Sequence, residues 1–167
     1  SAISYYNKAQ EIDPNEYMIY NELGNCLVSK KEYEKGKEKF ARAQELGNEE
    51  VKSYANKGLA DLKKKQRKYD EAIDLYKKAI DLYSSNQEAR LGMANAYSKK
   101  GNNQEAIVIL KSSIESEPQN KKAYYELGKI YRAENRKEDS TESFKKACEL
   151  GLIKACEEKP EKKKNKK

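Results

Sequence analysis

The chain has 167 residues, 37% of them hydrophobic and 38% charged, which suits a thinly cored protein rich in surface rather than a large compact globule. Its net charge is +7, but the segment from Glu157 to Lys167 holds six lysines against three glutamates, and the body lacks the concentrated basic face of a dedicated nucleic-acid module. No stretch approaches the roughly 18 consecutive apolar residues of a membrane span, and no signal-peptide pattern opens the chain.

Three prolines and eight glycines are few, and the long runs of Ala, Leu, Lys, Glu and Gln between them predict an all-α chain. In chain order, residues 1–16 place Ala2, Ile3, Tyr6 and Ala9 ahead of Pro14, as a second helix that lacks its first. Residues 17–50 carry Tyr20, Leu23-Gly24 and Leu27, then Gly36, Phe40 and Ala43. Residues 51–86 end on Ala72, Tyr76 and Ala79, but the register of their first half, Val51 to Leu62, is ambiguous. Leu59-Ala60 is the preferred counterpart of Leu23-Gly24. That choice leaves Lys63 where a buried aromatic is expected, unless the helix is rotated or Leu62 takes over the place.

Residues 87–120 carry Met93-Ala94, Tyr97, Ala106, Leu110 and Ser113, and residues 121–154 repeat the series 34 residues later as Leu127-Gly128, Tyr131, Ser140, Phe144 and Ala147. Pro14 and Pro118 mark turns between hairpins, because proline cannot continue the preceding helix. Lys31-Glu32 and Gly101-Asn102 mark turns within them. Gly151 stops the last helix, and residues 155–167 are read as a short cap followed by a disordered lysine-rich tail.

Offsets of three and four put side chains on one helix face, and the small residue lets a partner helix approach closely. The series Tyr20-x2-Leu23-Gly24-x2-Leu27 and Tyr124-x2-Leu127-Gly128-x2-Tyr131, with Ala72-x3-Tyr76-x2-Ala79, resembles the tetratricopeptide repeat (TPR). The resemblance covers nearly the whole chain. It implies a right-handed superhelical solenoid of antiparallel helix pairs, about four and a half repeats, whose first helices line an extended concave surface.

By that resemblance the groove-facing places fall at the second, fifth, ninth and twelfth positions of each repeat. They are Met18, Asn21, Asn25 and Val28; Tyr54, Lys57, Asp61 and Lys64; Glu88, Leu91, Asn95 and Ser98; and Lys122, Tyr125, Lys129 and Arg132. Asn21, Asn25 and Asn95 suit contacts to a peptide main chain, Lys57, Lys122, Lys129 and Arg132 suit carboxylates, and Tyr125 suits an apolar anchor. Taken one at a time, each is more simply a solvated polar residue, and only the set argues for a groove. The Lys and Asn clamp of chaperone-docking members is not reproduced in either window, since Asn25, Lys57 and Lys122 match it alone.

Chemistry has little to work with. The chain contains no histidine, which removes Ser-His-Asp and Cys-His nucleophiles and the commonest zinc ligand sets, and no Gly-rich phosphate loop is present. An enzyme, a metal site and a cofactor are therefore not expected. The stretch from Cys148 to Cys156 looks like the joint between repeats in cysteine-rich secreted bacterial helical-repeat proteins, where such cysteines are bridged. The preferred reading is nevertheless two small buried free thiols in a reducing, cytoplasmic setting, with Cys26 buried alone.

The expected function is a protein-interaction scaffold that binds a protein or peptide, acidic toward the fourth repeat. The alternative is self-assembly, a homo-oligomer built through Ile3 and Tyr6 on the incomplete first helix. RNA binding through the basic tail with Lys64, Lys129 and Arg132 ranks third, because most of the thirteen tyrosines fall at packing positions, which leaves Tyr54 and Tyr125 to stack on a ligand.

Overall fold

A computed structural model of the chain describes residues 2–13 and 16–158. Pro14 and the lysine-rich segment 159–167 lie outside the described residues. Within them the architecture is all-α, as the composition and the period predict, with ten helices and no strand. They are α1 (Ala2–Ile12), α2 (Tyr17–Ser29), α3 (Tyr33–Leu46), α4 (Glu49–Lys65), α5 (Tyr69–Leu82), α6 (Gln87–Lys100), α7 (Asn103–Ser116), α8 (Lys121–Ala133), α9 (Lys137–Glu149) and α10 (Ile153–Cys156). None is long and apolar enough to cross a membrane. The chain divides into two compact units, one ending at Ala96 and the other beginning at Tyr97.

Short turns join the helices, and those after α2, α4, α6 and α8 each place one residue in the left-handed region. Lys31 between α2 and α3 (φ 67°), Arg67 between α4 and α5 (φ 61°) and Asn135 between α8 and α9 (φ 59°) adopt it with a side chain, and Gly101 after α6 (φ 95°) without one. Three helices are capped by an asparagine side chain. Asn48, Asn86 and Asn120 accept the backbone N–H of Val51, Ala89 and Ala123 at 3.0, 3.0 and 3.1 Å, satisfying donors that a helix start leaves open.

In the first unit the core gathers Tyr20, Val28, Phe40, Ala43, Val51, Ala55 and Leu62, with Leu59 half-buried at its margin. Phe40 is wholly buried and its ring lies on two glycines: a Cβ added to Gly24 of α2 would come within 2.6 Å of the ring, and one added to Gly58 of α4 would overlap it further. Tyr76 presses on Gly92 in the same way. The small residues are thus seats for rings. In the uncertain turn of α4, Ala60 and Leu62 are fully buried, whereas Lys63 reaches out to Glu71 of α5 at 2.5 Å. A buried network ties α4 to its neighbours: Asn86 donates to Ser53 Oγ at 2.9 Å, and Ser53 donates to the Ala79 carbonyl at 2.6 Å.

The second unit is built the same way. α8 turns Ala123, Leu127, Ile130 and Tyr131 inward at helical spacing, and Gly128 seats the Phe144 ring of α9. Pro118 lies in the turn between α7 and α8, and the positive φ of Gly151 (85°) turns the chain from α9 into α10.

Candidate peptide-binding faces

In the first unit the expected groove residues separate into packed and open ones. Val28 is a correction: it is 4% exposed and sits against Gly36 of α3, so it belongs to the core. Asn21 is another correction, since it is 1% exposed and donates to the Val51 carbonyl at 3.0 Å, fastening α2 to α4. Its Oδ1 is buried without a partner. Asn25, Leu91 and Asn95 are half-buried and keep part of their surface open.

Lys57, Asp61 and Lys64 form an internal charge network rather than a row of open cations. Lys57 pairs with Asp61 at 3.1 Å and with Glu88 at 3.0 Å, and Lys64 pairs with Asp61 at 3.1 Å while lying over the Tyr76 ring. The Tyr76 hydroxyl donates to Asp61 as well. Burial pushes the Asp61 carboxyl upward, but Lys64, Lys57 and the Tyr76 hydroxyl outweigh it and hold it below the ordinary aspartate value. Burial first, then the Asp61 charge and hydrogen bond, push the Tyr76 hydroxyl well above its ordinary value, so it remains a donor.

A depressed folded-state carboxyl contributes stability that is fully present above its unfolded pKa and is lost as pH falls through the folded value. Asp61→Asn is therefore expected to cost about 1–2 kcal/mol near neutrality. The gap between variant and parent in denaturant midpoint should close in acid, and a gap independent of pH would count against the charge network.

α1 also departs from expectation. Ile3 and Tyr6 are only half-exposed, and Tyr6 feels Glu22 of α2 most strongly, then its own burial, which raise its hydroxyl above the ordinary value. Tyr5 (70% exposed) and Ile12 (85%) are the large hydrophobic side chains that α1 presents outward, a correction to the residues picked from the sequence.

In the second unit, Tyr125, Lys129 and Arg132 come together on one face of α8, and Lys122 is exposed on the same helix. The Arg132 guanidinium lies over the Phe144 ring at 4.5 Å, and the Tyr125 ring packs 5.4 Å from Phe144, with Lys154 and Lys129 over it at 4.2 and 5.4 Å. A carboxylate already sits in this setting. Glu158 accepts from Arg132 Nη1 at 2.8 Å and from the Tyr125 hydroxyl at 3.0 Å. The Arg132 hydrogen bond outweighs partial burial and holds the Glu158 carboxyl below its ordinary range, with Tyr125 adding to it. Lys129 pairs with Glu126 of its own helix at 2.6 Å.

The cysteines overturn the reading of two free thiols. Cys148 and Cys156 form a disulfide, because the left-handed Gly151 folds α10 back along α9 and brings the two side chains together across eight residues. Cys26 is a half-buried free thiol. A cleft of about 620 Å³ on the same unit is floored by Ile114, Tyr124, Leu127 and Tyr131 and rimmed by charged side chains of α7 and α9; it was not anticipated from the groove positions. Among the described residues no cluster of His, Cys, Asp or Glu is placed to hold a metal ion.

Known proteins bear on this architecture. Two family models, both described as Tetratricopeptide repeat, match residues 64–127 and 121–150. A tetratricopeptide repeat protein from Parabacteroides merdae superposes with a TM-score of 0.77 at 23% identity, over 93% of this chain and 60% of that one. YrrB, solved as a TPR protein with an unusual peptide-binding site, superposes with a TM-score of 0.63 at 24% identity, over 93% and 80%. The BBSome complex member BBS4 of Bos taurus is 30% identical over 88 residues, which are 53% of this chain, and the chain spans only 16% of that protein's length.

Proposed function

Because the chain belongs to the tetratricopeptide repeat family, whose members bind protein or peptide partners, we propose that it is a non-catalytic scaffold that takes an acidic peptide segment on the α8 face. The observation that carries this reading is the Arg132–Tyr125 pair, which holds a carboxylate within the chain itself, with Arg132 stacked on Phe144. A guanidinium braced on a ring and a phenol that donates a hydrogen bond offer a glutamate or aspartate side chain two directed contacts. Lys122 and Lys129 add positive charge along the same helix, and Tyr125 supplies an aromatic edge for the peptide's apolar part. On the first unit, the partly open Asn25, Leu91 and Asn95 are proposed as main-chain and apolar contacts, and Lys57, Asp61 and Lys64 as framework.

The test is a fluorescence-anisotropy titration of the full chain into a labelled peptide of alternating glutamates, beside its glutamine counterpart. Lys129→Ala with Arg132→Ala should weaken glutamate-peptide binding roughly tenfold or more, the loss expected for a charge-assisted contact, with far-UV circular dichroism unchanged. Equal binding of the glutamate and glutamine peptides would refute the acidic preference.

A second reading, self-assembly through α1, is favoured by the outward Tyr5 and Ile12. Light scattering across a dilution series should then show mass rising with concentration, and Tyr5→Ser with Ile12→Ser should abolish the rise. A strict monomer at high concentration removes it.

A further inference from the structure

Glu158 reaches its site from an unusual support. It lies two residues beyond Cys156, and α10, which carries it there, has four residues, too few to hold helical structure by local hydrogen bonds. Ala155 is the residue of α10 that is buried, whereas Ile153 is 77% exposed. The covalent tie is the Cys148–Cys156 bridge to the end of α9. Glu158 meanwhile occupies the two donors, Arg132 and Tyr125, that an incoming carboxylate would use.

We propose that Glu158 is a tethered occupant of the Arg132–Tyr125 site and that the Cys148–Cys156 disulfide governs whether that site is open to a carboxylate-bearing peptide. The proposal rests on the acidic-peptide reading of α8 and adds its regulation. With the bridge formed, the carboxylate is held beside its donors at high effective concentration, so a partner must displace it. With the bridge broken, the short α10 loses its tie, Glu158 samples solvent, and the site is vacated.

The switching step is thiol–disulfide exchange with a dithiol reductant. Its thiolate attacks the Cys156 sulfur, the more exposed of the two, and Cys148 departs as a thiolate that takes up a proton. The reductant's second thiol then displaces Cys156 from the mixed disulfide. Two protein thiols and one oxidised dithiol result, with two electrons and two protons transferred.

The experiment titrates the full chain, oxidised and then reduced with a dithiol, into the labelled alternating-glutamate peptide. Reduction is expected to tighten binding about tenfold, in line with removal of a tethered competitor. Oxidised Glu158→Gln should already bind as tightly as the reduced parent and respond little to reductant, and Cys148→Ser with Cys156→Ser should bind tightly in either condition. Hydrogen–deuterium exchange supplies a readout independent of the peptide: reduction should raise exchange at residues 152–158 while α8 stays protected. Equal binding of the oxidised and reduced parent, with Arg132→Ala still weakening it, overturns the gate and leaves the site standing. Binding in no form, Glu158→Gln included, overturns the site and the gate together. Three titratable thiols in the unreduced chain would also overturn the gate.

Discussion

Phe40→Ala is expected to cost about 4 kcal/mol, because a wholly buried ring is removed from a place that cannot collapse around the gap. The ring is bounded by Gly24 and Gly58, and neither glycine has a side chain to move inward. The same geometry predicts an unusual response at Gly58. In an open helix interior, Gly→Ala stabilises by about 1 kcal/mol. Here the new methyl overlaps a ring held on both sides, and overpacking of that kind costs about 1–3 kcal/mol, so Gly58→Ala should destabilise. In the Phe40→Ala background the sign should reverse, since the methyl then enters the vacated space and helix propensity acts unopposed. Urea midpoints for the two single variants and the double variant measure the coupling, and strictly additive effects would show that ring and glycine do not share the contact.

These ring-on-glycine seats explain why so much of the fold was legible in the sequence. The period, the Leu-Gly pairs and the spaced aromatics are all consequences of helices packed close enough to need a small residue opposite a large one, and each is written locally. Tyr20, Phe40, Ala43, Tyr76 and Ala79 could be placed inside for that reason. Side-chain environments on the first helices were less legible. Asn21 looks like a peptide-binding asparagine, but its amide is used by the Val51 carbonyl thirty residues away, a partner that no spacing rule supplies. Val28 is apolar at a groove position because Gly36 across the hairpin makes room for it. Lys57 and Lys64 read as cations awaiting a ligand, yet Asp61, on their own helix at helical spacing, was available in the sequence as their partner.

The C-terminal features were hidden for a different reason. Glu158 falls past the last repeat, where the period no longer assigns a face, and its meeting with Arg132 depends on the turn at Gly151 and on the bridge that follows it. Free and bridged states of two cysteines eight residues apart are equally compatible with a helix–turn–helix sequence, so only the tertiary path of α10 decides between them.

Asn86 is the polar counterpart of Phe40, and Asn86→Ala is expected to cost about 2–3 kcal/mol. The residue is 1% exposed and does two things at once: its Oδ1 caps α6 through the Ala89 N–H, and its Nδ2 donates to Ser53 Oγ, which itself donates to the Ala79 carbonyl of α5. Loss of the cap alone accounts for about 1 kcal/mol. The rest comes from leaving the Ser53 Oγ lone pair without its donor where water does not reach, a penalty of about 1–3 kcal/mol. Asn86→Ser separates the two roles, since a serine oxygen can still cap the helix but is too short to reach Ser53. It should recover about 1 kcal/mol of the loss. Ser53→Ala in the Asn86→Ala background should then cost less than in the parent, because the serine no longer has that donor to accept from. Chemical denaturation of the four chains measures this coupling, and a Ser53→Ala cost that is the same in both backgrounds would show that the buried chain of hydrogen bonds does not act as a unit.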